Sequence, residues 1–366
     1  MTEQPRSALI FGGAGFIGSN LAYDLLTKTE ARVHIFDNLT RAGVHHNLEW
    51  LRQTPEASSR LQITLEDVRN SHPVEKAVAQ ATEIYHLAAQ VAVTSSVANP
   101  RHDFEVNLAG TFNVLDAVRK CGHKPFLIFT STNKVYGNLG LTGLCATKTR
   151  LTDSNYSGTS EDQPLDFHSP YGCSKGGADQ YVRDFARIYK LPAVVFRMSC
   201  IAGPRQFGTE DQGWVAHFIY SALQRQPIVV YGDGRQVRDV LCIHDLIRAF
   251  ESVRRNLAVT AGKIYNVGGG MANTVSLLEL IDRIEALTGH RLEYMLDECR
   301  PGDQPIYITN YAKLHAHTGW QPEIDVSQTI RLLQTFWEAN RELIAQHPSV
   351  PIEAFDLAGE IGGRAA

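Results

Sequence analysis

The chain has 366 residues, 43% of them hydrophobic, which is enough to bury a sizeable core and to build about two domains. A net charge of −4 and a pI near 6.4 leave no basic footprint for nucleic acid. No run is long and apolar enough for a membrane span, MTEQPRS lacks a signal-peptide core, and six dispersed cysteines form no CxxC pair, so the expectation is a cytoplasmic protein with reduced thiols.

Residues 7–11, SALIF, form a short apolar run that predicts a buried strand. Gly12, Gly15 and Gly18 follow at once and lead into an amphipathic segment with Ile17, Leu21, Leu25 and Leu26. Glycine at such a strand–turn–helix junction permits positive φ and lets a pyrophosphate lie against bare backbone, where N–H groups and the positive end of the helix hold its charge. A second apolar run, RVHIFDN at 32–38, ends in Asp37, 19 residues past Gly18. A carboxylate there accepts hydrogen bonds from an adenosine ribose and repels a 2′-phosphate. The pattern predicts NAD over NADP, with Arg41 the one nearby residue that argues the other way.

Further apolar runs at 62–65, 84–88, 126–131 and 193–198, with amphipathic segments between several of them, predict a parallel sheet with helices on both faces. FLIFTSTNKVY at 126–136 reads as a strand ending in hydroxyl residues, and Thr132 at its carboxyl end is placed to hold a substrate hydroxyl. Residues 138–165 are polar and rich in Gly, Ser and Thr: a surface excursion, or a rim over the site.

YGCSK follows at 171–175. Tyr171 and Lys175 lie four apart, so on a helix both project from one face. An ammonium about 4 Å from a phenol contributes about 4 kcal/mol at an effective dielectric of about 20, or about three pKa units. Tyr171 is therefore expected to titrate near pH 7, where acid–base exchange is efficient. Past residue 200 the alternation becomes irregular. Residues 240–254 read as a return to the first domain, and SLLELIDRIEALTG, with Leu277, Leu280, Ile281, Ile284 and Leu287 on one face, as the start of a cap. Fourteen histidines include no HExxH or dense ligand cluster, so no metal is expected.

GGAGFIG, Asp37, YHLAA at 85–89, TSTNKVYG at 130–137 and YGCSK together resemble the extended short-chain dehydrogenase/reductase superfamily, whose members modify nucleotide-linked sugars. The resemblance runs from about Ser7 to about Glu338. It implies an α/β fold: a Rossmann-type doubly wound parallel sheet with a smaller C-terminal substrate-binding α/β domain. Residues 1–200 and about 240–265 would bind the dinucleotide, 201–239 and 266–346 the nucleotide sugar, with an irregular tail at 347–366. The implied NAD contacts are Gly12, Gly15, Phe16, Ile17, Gly18, Asp37, Asn38, Asp67, Val68, Leu87, Ala88, Ala89, Asn107, Tyr171 and Lys175. Tyr171, Lys175 and Thr132 would be catalytic, and Thr132, Asn133, Lys134, Arg205, Gln206, Arg238 and Arg300 would meet the substrate, the last two on its pyrophosphate. Helices near 100–120 and 172–190 imply a homodimer or homotetramer.

Two departures narrow the reaction. Related sugar dehydratases carry Thr-Asp-Glu where this chain has Thr132, Asn133 and Lys134, and an amide and an ammonium cannot serve as the acid and base of an elimination. The asparagine common in 4-epimerases corresponds to Cys200. FDNLTRAG, LDFHSPYGCSKGGADQY, RQFGTEDQGW and GRQVRDVL are similar to epimerases that invert C2 of CDP-linked hexoses, so a CDP-hexose is the favoured substrate. The alternatives are a UDP-sugar 4-epimerase and a NAD-binding regulator without turnover.

Overall fold

Strands buried on both faces need no polar alternation, and six such runs, with a half-exposed edge strand at Leu61–Leu65, form one parallel sheet. The computed structural model describes residues 6–300 and 302–345, so the tail expected at 347–366 lies outside the described residues. The strands are β1 (Ser7–Phe11), β2 (Arg32–Asp37), β3 (Leu61–Leu65), β4 (Glu83–His86), β5 (Phe126–Thr132), β6 (Ala193–Met198) and β7 (Ile264–Val267), in the order β7-β6-β5-β4-β1-β2-β3. The six strands expected from the sequence agree within two residues at each end. The chain runs outward from β1 to β3, then crosses back to β4, so the strand order reverses between β1 and β4. A doubly wound sheet opens its ligand crevice at such a reversal, beyond the carboxyl ends of the strands.

Side chains of β1 show how the faces divide. Ala8 and Ile10 pack with Leu21 and Leu25 of α1 (Phe16–Lys28), while Leu9 and Phe11 pack with Val114 and Val118 of α2 (Gly110–Lys120) and Val182 of α3 (Ser169–Tyr189). Leu246 and Phe250 of α4 (Ile243–Arg255) join the first face. Each fully buried side chain of this size contributes about 1.5–3 kcal/mol.

A third core gathers Val215, Phe218 and Ile219 from the helix Trp214–Gln224, Leu280 and Ile284 from Leu277–Thr288, and Ile330 and Leu333 from Val326–Ala339. The strand Val237–Cys242 connects the two parts. It pairs parallel with Cys200–Ala202 and Ile306–Tyr307 and antiparallel with Thr274–Ser276.

Residues 138–165 include a hairpin of Leu144–Ala146 and Leu151–Asp153. Its flank packs on the smaller part: Leu151 N–H donates to the Arg235 carbonyl at 2.8 Å, and Arg150 pairs with Glu279 at 2.9 Å.

Candidate active site

A cleft of about 570 Å³ opens beyond the carboxyl ends of β1, β4 and β5. Its walls run from Phe16, Ile17 and Leu87 through Thr132, Tyr171 and Lys175 to Trp214, Tyr231 and Arg300. At its cofactor end, Gly12 has φ +77°, and a Cβ there would lie 2.7 Å from the Ala88 nitrogen. A Cβ on Gly18 would meet the Gly12 carbonyl oxygen at 2.3 Å. No side chain caps the first turn of α1, which starts after Gly15. Bare backbone at a helix N-terminus is the surface a dinucleotide pyrophosphate requires, so these residues fit NAD.

Asp37 ends β2 beside this turn. Its carboxylate accepts the Ala14 N–H at 3.0 Å and the Leu39 N–H at 2.9 Å, which ties the loop after β2 to the glycine turn. Burial nevertheless pushes its carboxyl above the ordinary value. Asn38 donates to Asp67 at 2.8 Å, and Arg69 beside Asp67 holds that carboxyl down to about 2. Val68 packs under Gly110, where a Cβ would lie 2.7 Å from its side chain.

Tyr171 sits in the first turn of α3, where its N–H donates to the Ser96 hydroxyl at 3.2 Å and Pro170 presets the helical backbone. A hydrogen bond joins its phenol to Thr132, which ends β5. The expected titration near pH 7 is not what the structure shows: burial pushes the phenol up to about 12, with the Thr132 bond opposing. The reason is the path of the lysine. Lys175 Nζ lies 4.2 Å from the centre of the Phe129 ring, where burial draws it down to about 7 against the pull of Asp103 and Asp179. Spacing of four put both residues on one helix face but did not make the ammonium the phenol's partner.

At the opposite end of the cleft, cations and carboxylates interlock. Arg238 meets Asp303 at 2.6 Å, and Lys134 meets the same carboxylate oxygen at 3.2 Å. Burial works against charge on Asp303, yet Arg238 and Lys134 hold it down to about 2. Arg300 reaches Glu210 and Asp211, both at 3.3 Å, and lies over the Tyr231 ring at 3.9 Å. Asn133 donates to Gln304 at 3.0 Å, and Gln304 donates to the Gly137 carbonyl at 2.8 Å. Gln206 lines the cleft with its amide nitrogen on the Ile201 carbonyl at 3.1 Å. Cys200, half-buried in the cleft wall with desolvation raising its thiol, accepts from the Trp214 indole at 3.4 Å.

Not every expected residue reaches the cleft. Arg205 instead stacks on Trp50 at 4.0 Å and Phe336 at 5.2 Å, outside the lining. Asn107 lies behind the wall, its amide bonded to the Gln90 backbone, Asp103 and Ser174. Sequence reasoning did not assign Asp303, Glu210, Asp211, Gln304 or Asp103. Asp303 stood three residues past Arg300 in RPGD, but local spacing carries no sign that its carboxylate turns back onto Arg238.

Residues 9–333 match the family model described as GDP-mannose 4,6 dehydratase. The chain is 39% identical to the CDP-paratose 2-epimerase of Salmonella typhi, over 88% of this chain and 96% of that protein. It is similar to the crystal structure of the UDP-glucuronic acid 4-epimerase of Bacillus cereus, a tyrosine-to-phenylalanine mutant in complex with UDP-4-deoxy-4-fluoro-glucuronic acid and NAD, with TM-score 0.79, 25% identity and 91% and 99% of the two chains covered. It is also similar to the NAD-bound dTDP-glucose 4,6-dehydratase of Streptomyces venezuelae, with TM-score 0.80, 26% identity and 93% and 100% covered. Through its glycine turn, its Tyr171–Lys175 pair and these matches, the chain belongs to the GDP-mannose 4,6-dehydratase family of the extended short-chain dehydrogenase/reductase superfamily.

Proposed function

We propose that this protein is an NAD-dependent nucleotide-sugar epimerase that inverts C2 of a CDP-linked hexose through a transient 2-keto sugar. The observation that carries the reading is the convergence, on one cleft, of Phe16 and Ile17 at the helix start that follows the glycine turn, the Thr132–Tyr171 pair and the arginines Arg238 and Arg300. Gly12, Gly15, Gly18, Asp37 and Asp67 would hold NAD, which when bound supplies the acceptor and donor for the hydrogen on the reacting carbon.

The chain's own residues serve oxygen and charge. Thr132 and Tyr171 would grip the C2 hydroxyl; Tyr171 as its phenolate would take the hydroxyl proton, and the phenol so formed would give it back. In the buried resting site the phenol is protonated, so it stands ready as the acid and must ionise before it can act as the base. Arg238 and Arg300 would exchange their carboxylate partners for the diphosphate, leaving the sugar free to present its other face. Asn133 and Lys134 supply no acid–base pair for loss of water. The restriction to CDP and C2 is supported by the Salmonella typhi relative.

A second reading, a UDP-sugar 4-epimerase, is favoured by the Bacillus cereus structure. Incubation with CDP-, UDP-, GDP- and dTDP-hexoses separates the two by which sugar inverts and at which carbon. A 4-keto-6-deoxy sugar as the main product from any of them would overturn both.

The functional form would be a homodimer or homotetramer. Phe112 on α2 and Tyr181 and Ile188 on α3 are exposed at 43%, 45% and 59%, and Phe112 meets Tyr181 edge-on at 5.7 Å. A monomer by light scattering would contradict this assignment.

A further inference from the structure

The far end of the cleft holds two carboxylates that the proposed chemistry leaves unassigned. Glu210 and Asp211 are the central pair of a tight turn, which Thr209 and Gln212 close with backbone bonds of 2.8 and 3.1 Å. Both line the cleft. Glu210 is held from two sides: the hydroxyl of Tyr231, which ends the strand Ile228–Tyr231, donates to its Oε1, and Arg300 reaches the same oxygen at 3.3 Å. Its other oxygen, Oε2, has no partner among the described residues.

The wall around this carboxylate is aromatic. Trp214, Phe218 and Tyr231 line the same cleft, and the Trp214 and Phe218 rings meet edge-on at 5.7 Å. A flat heterocycle suits such a pocket, because its faces stack on the rings while its edge is read by hydrogen bonds.

We propose that Glu210 reads the nucleobase: its unpaired Oε2 accepts the exocyclic amine of a cytosine, and this contact sets a preference for a cytidine over a uridine diphosphate sugar. That role rests on the nucleotide-sugar reading above and extends it to the base.

Position and charge both support the assignment. Contacts run from Thr132, whose hydroxyl accepts the Lys134 N–H at 3.2 Å, through Lys134, Asp303 and Arg238 to the turn in which the Asp303 N–H donates to the Arg300 carbonyl at 3.2 Å, and so to Glu210. A nucleotide sugar laid along this line, with its sugar at Thr132 and its diphosphate at the arginines, puts its base beside Glu210. The diphosphate also draws Arg300 away from Glu210 and Asp211, so the turn needs a new donor. Cytosine supplies one at N4, whereas uracil presents a carbonyl oxygen there, facing a carboxylate that can only accept. Asp211, its side chain 46% exposed, can turn to water instead.

Binding alone tests the contact. Affinities for CDP and UDP are measured by calorimetry on the NAD-loaded wild type, Glu210→Gln, Glu210→Ala and Asp211→Asn. The wild type should bind CDP about 10- to 100-fold more tightly than UDP. Glu210→Gln should bring the two within about threefold, since an amide can turn its N–H to the uracil oxygen, while Asp211→Asn should keep most of the preference. A wild type indifferent to the base, or one favouring UDP, would overturn the proposal. So would an equal loss of both nucleotides in Glu210→Gln, which would leave Glu210 only a holder of Arg300. Glu210→Ala serves if Glu210→Gln does not fold, with CDP weakened to the level of UDP; failure of both to fold would also overturn it. The C2 reading fails separately: a protein that loses its CDP preference with Glu210→Gln yet inverts no CDP-hexose keeps the base contact and loses the reaction. Inversion of a CDP-hexose at C2, with a CDP preference that Glu210→Gln leaves intact, would do the reverse.

Discussion

The Lys175 ammonium stands 4.2 Å from the centre of the Phe129 ring, cushioned by the electron-rich face of β5. Burial there draws it from 10.5 down to about 7, so between those values the folded protein binds fewer protons than the unfolded chain. Stability therefore rises with pH across that window, and the full penalty is present below it.

Lys175→Met removes the penalty. Compared with that variant, the wild type should be less stable below pH 7 and should recover about 1.4 kcal/mol per pH unit above it. Urea midpoints across the range check the slope, and a difference that is flat with pH would place the lysine in a solvated site.

Tyr171→Phe should lower kcat by at least about 100-fold, because the phenol exchanges the proton of the sugar hydroxyl. NAD affinity, measured by calorimetry, should stay within a few-fold. Near-normal turnover would remove Tyr171 from the chemistry.

Arg238→Gln should raise KM for the nucleotide sugar by about 10- to 100-fold, the loss of a charge-assisted contact of about 1.5–3 kcal/mol, with kcat changed far less. Steady-state kinetics separates the two constants. An equal fall in kcat and kcat/KM would instead put the guanidinium on the reacting sugar.

Asp37→Ala should weaken NAD by about 1–3 kcal/mol and narrow its advantage over NADP. Paired titrations with the two cofactors decide it. Unchanged preference would leave Asp37 with only its observed work, holding the Ala14 and Leu39 N–H groups.

Much of this architecture was legible in residue order. Apolar runs such as SALIF and AVVFRM have one reading in a doubly covered sheet, and a glycine turn beside a strand end leaves little choice of ligand class. β7 was not anticipated, since IYNV is short and acquires strand character only by pairing with β6. Arg205 is expected to meet the substrate, but its φ of +69° and its stacking on Trp50 turn it elsewhere. The Asp303 link between Arg238 and Lys134 joins residues 65 and 169 positions away, contacts that only the folded chain can specify. The phenol's titration departs from expectation for the same reason: periodicity gives a shared helix face, while burial sets the titration of each group on it.

The central claim is tested most directly by following the hydrogen on the inverted carbon. A CDP-hexose carrying deuterium at C2 should be epimerised with the label kept at C2 and none lost to water, because in the proposed reaction Tyr171 and Thr132 serve the oxygen and no acid–base group of the cleft is assigned to that carbon. Solvent hydrogen at the inverted carbon would contradict the account, and inversion at C4 with C2 untouched would favour the 4-epimerase.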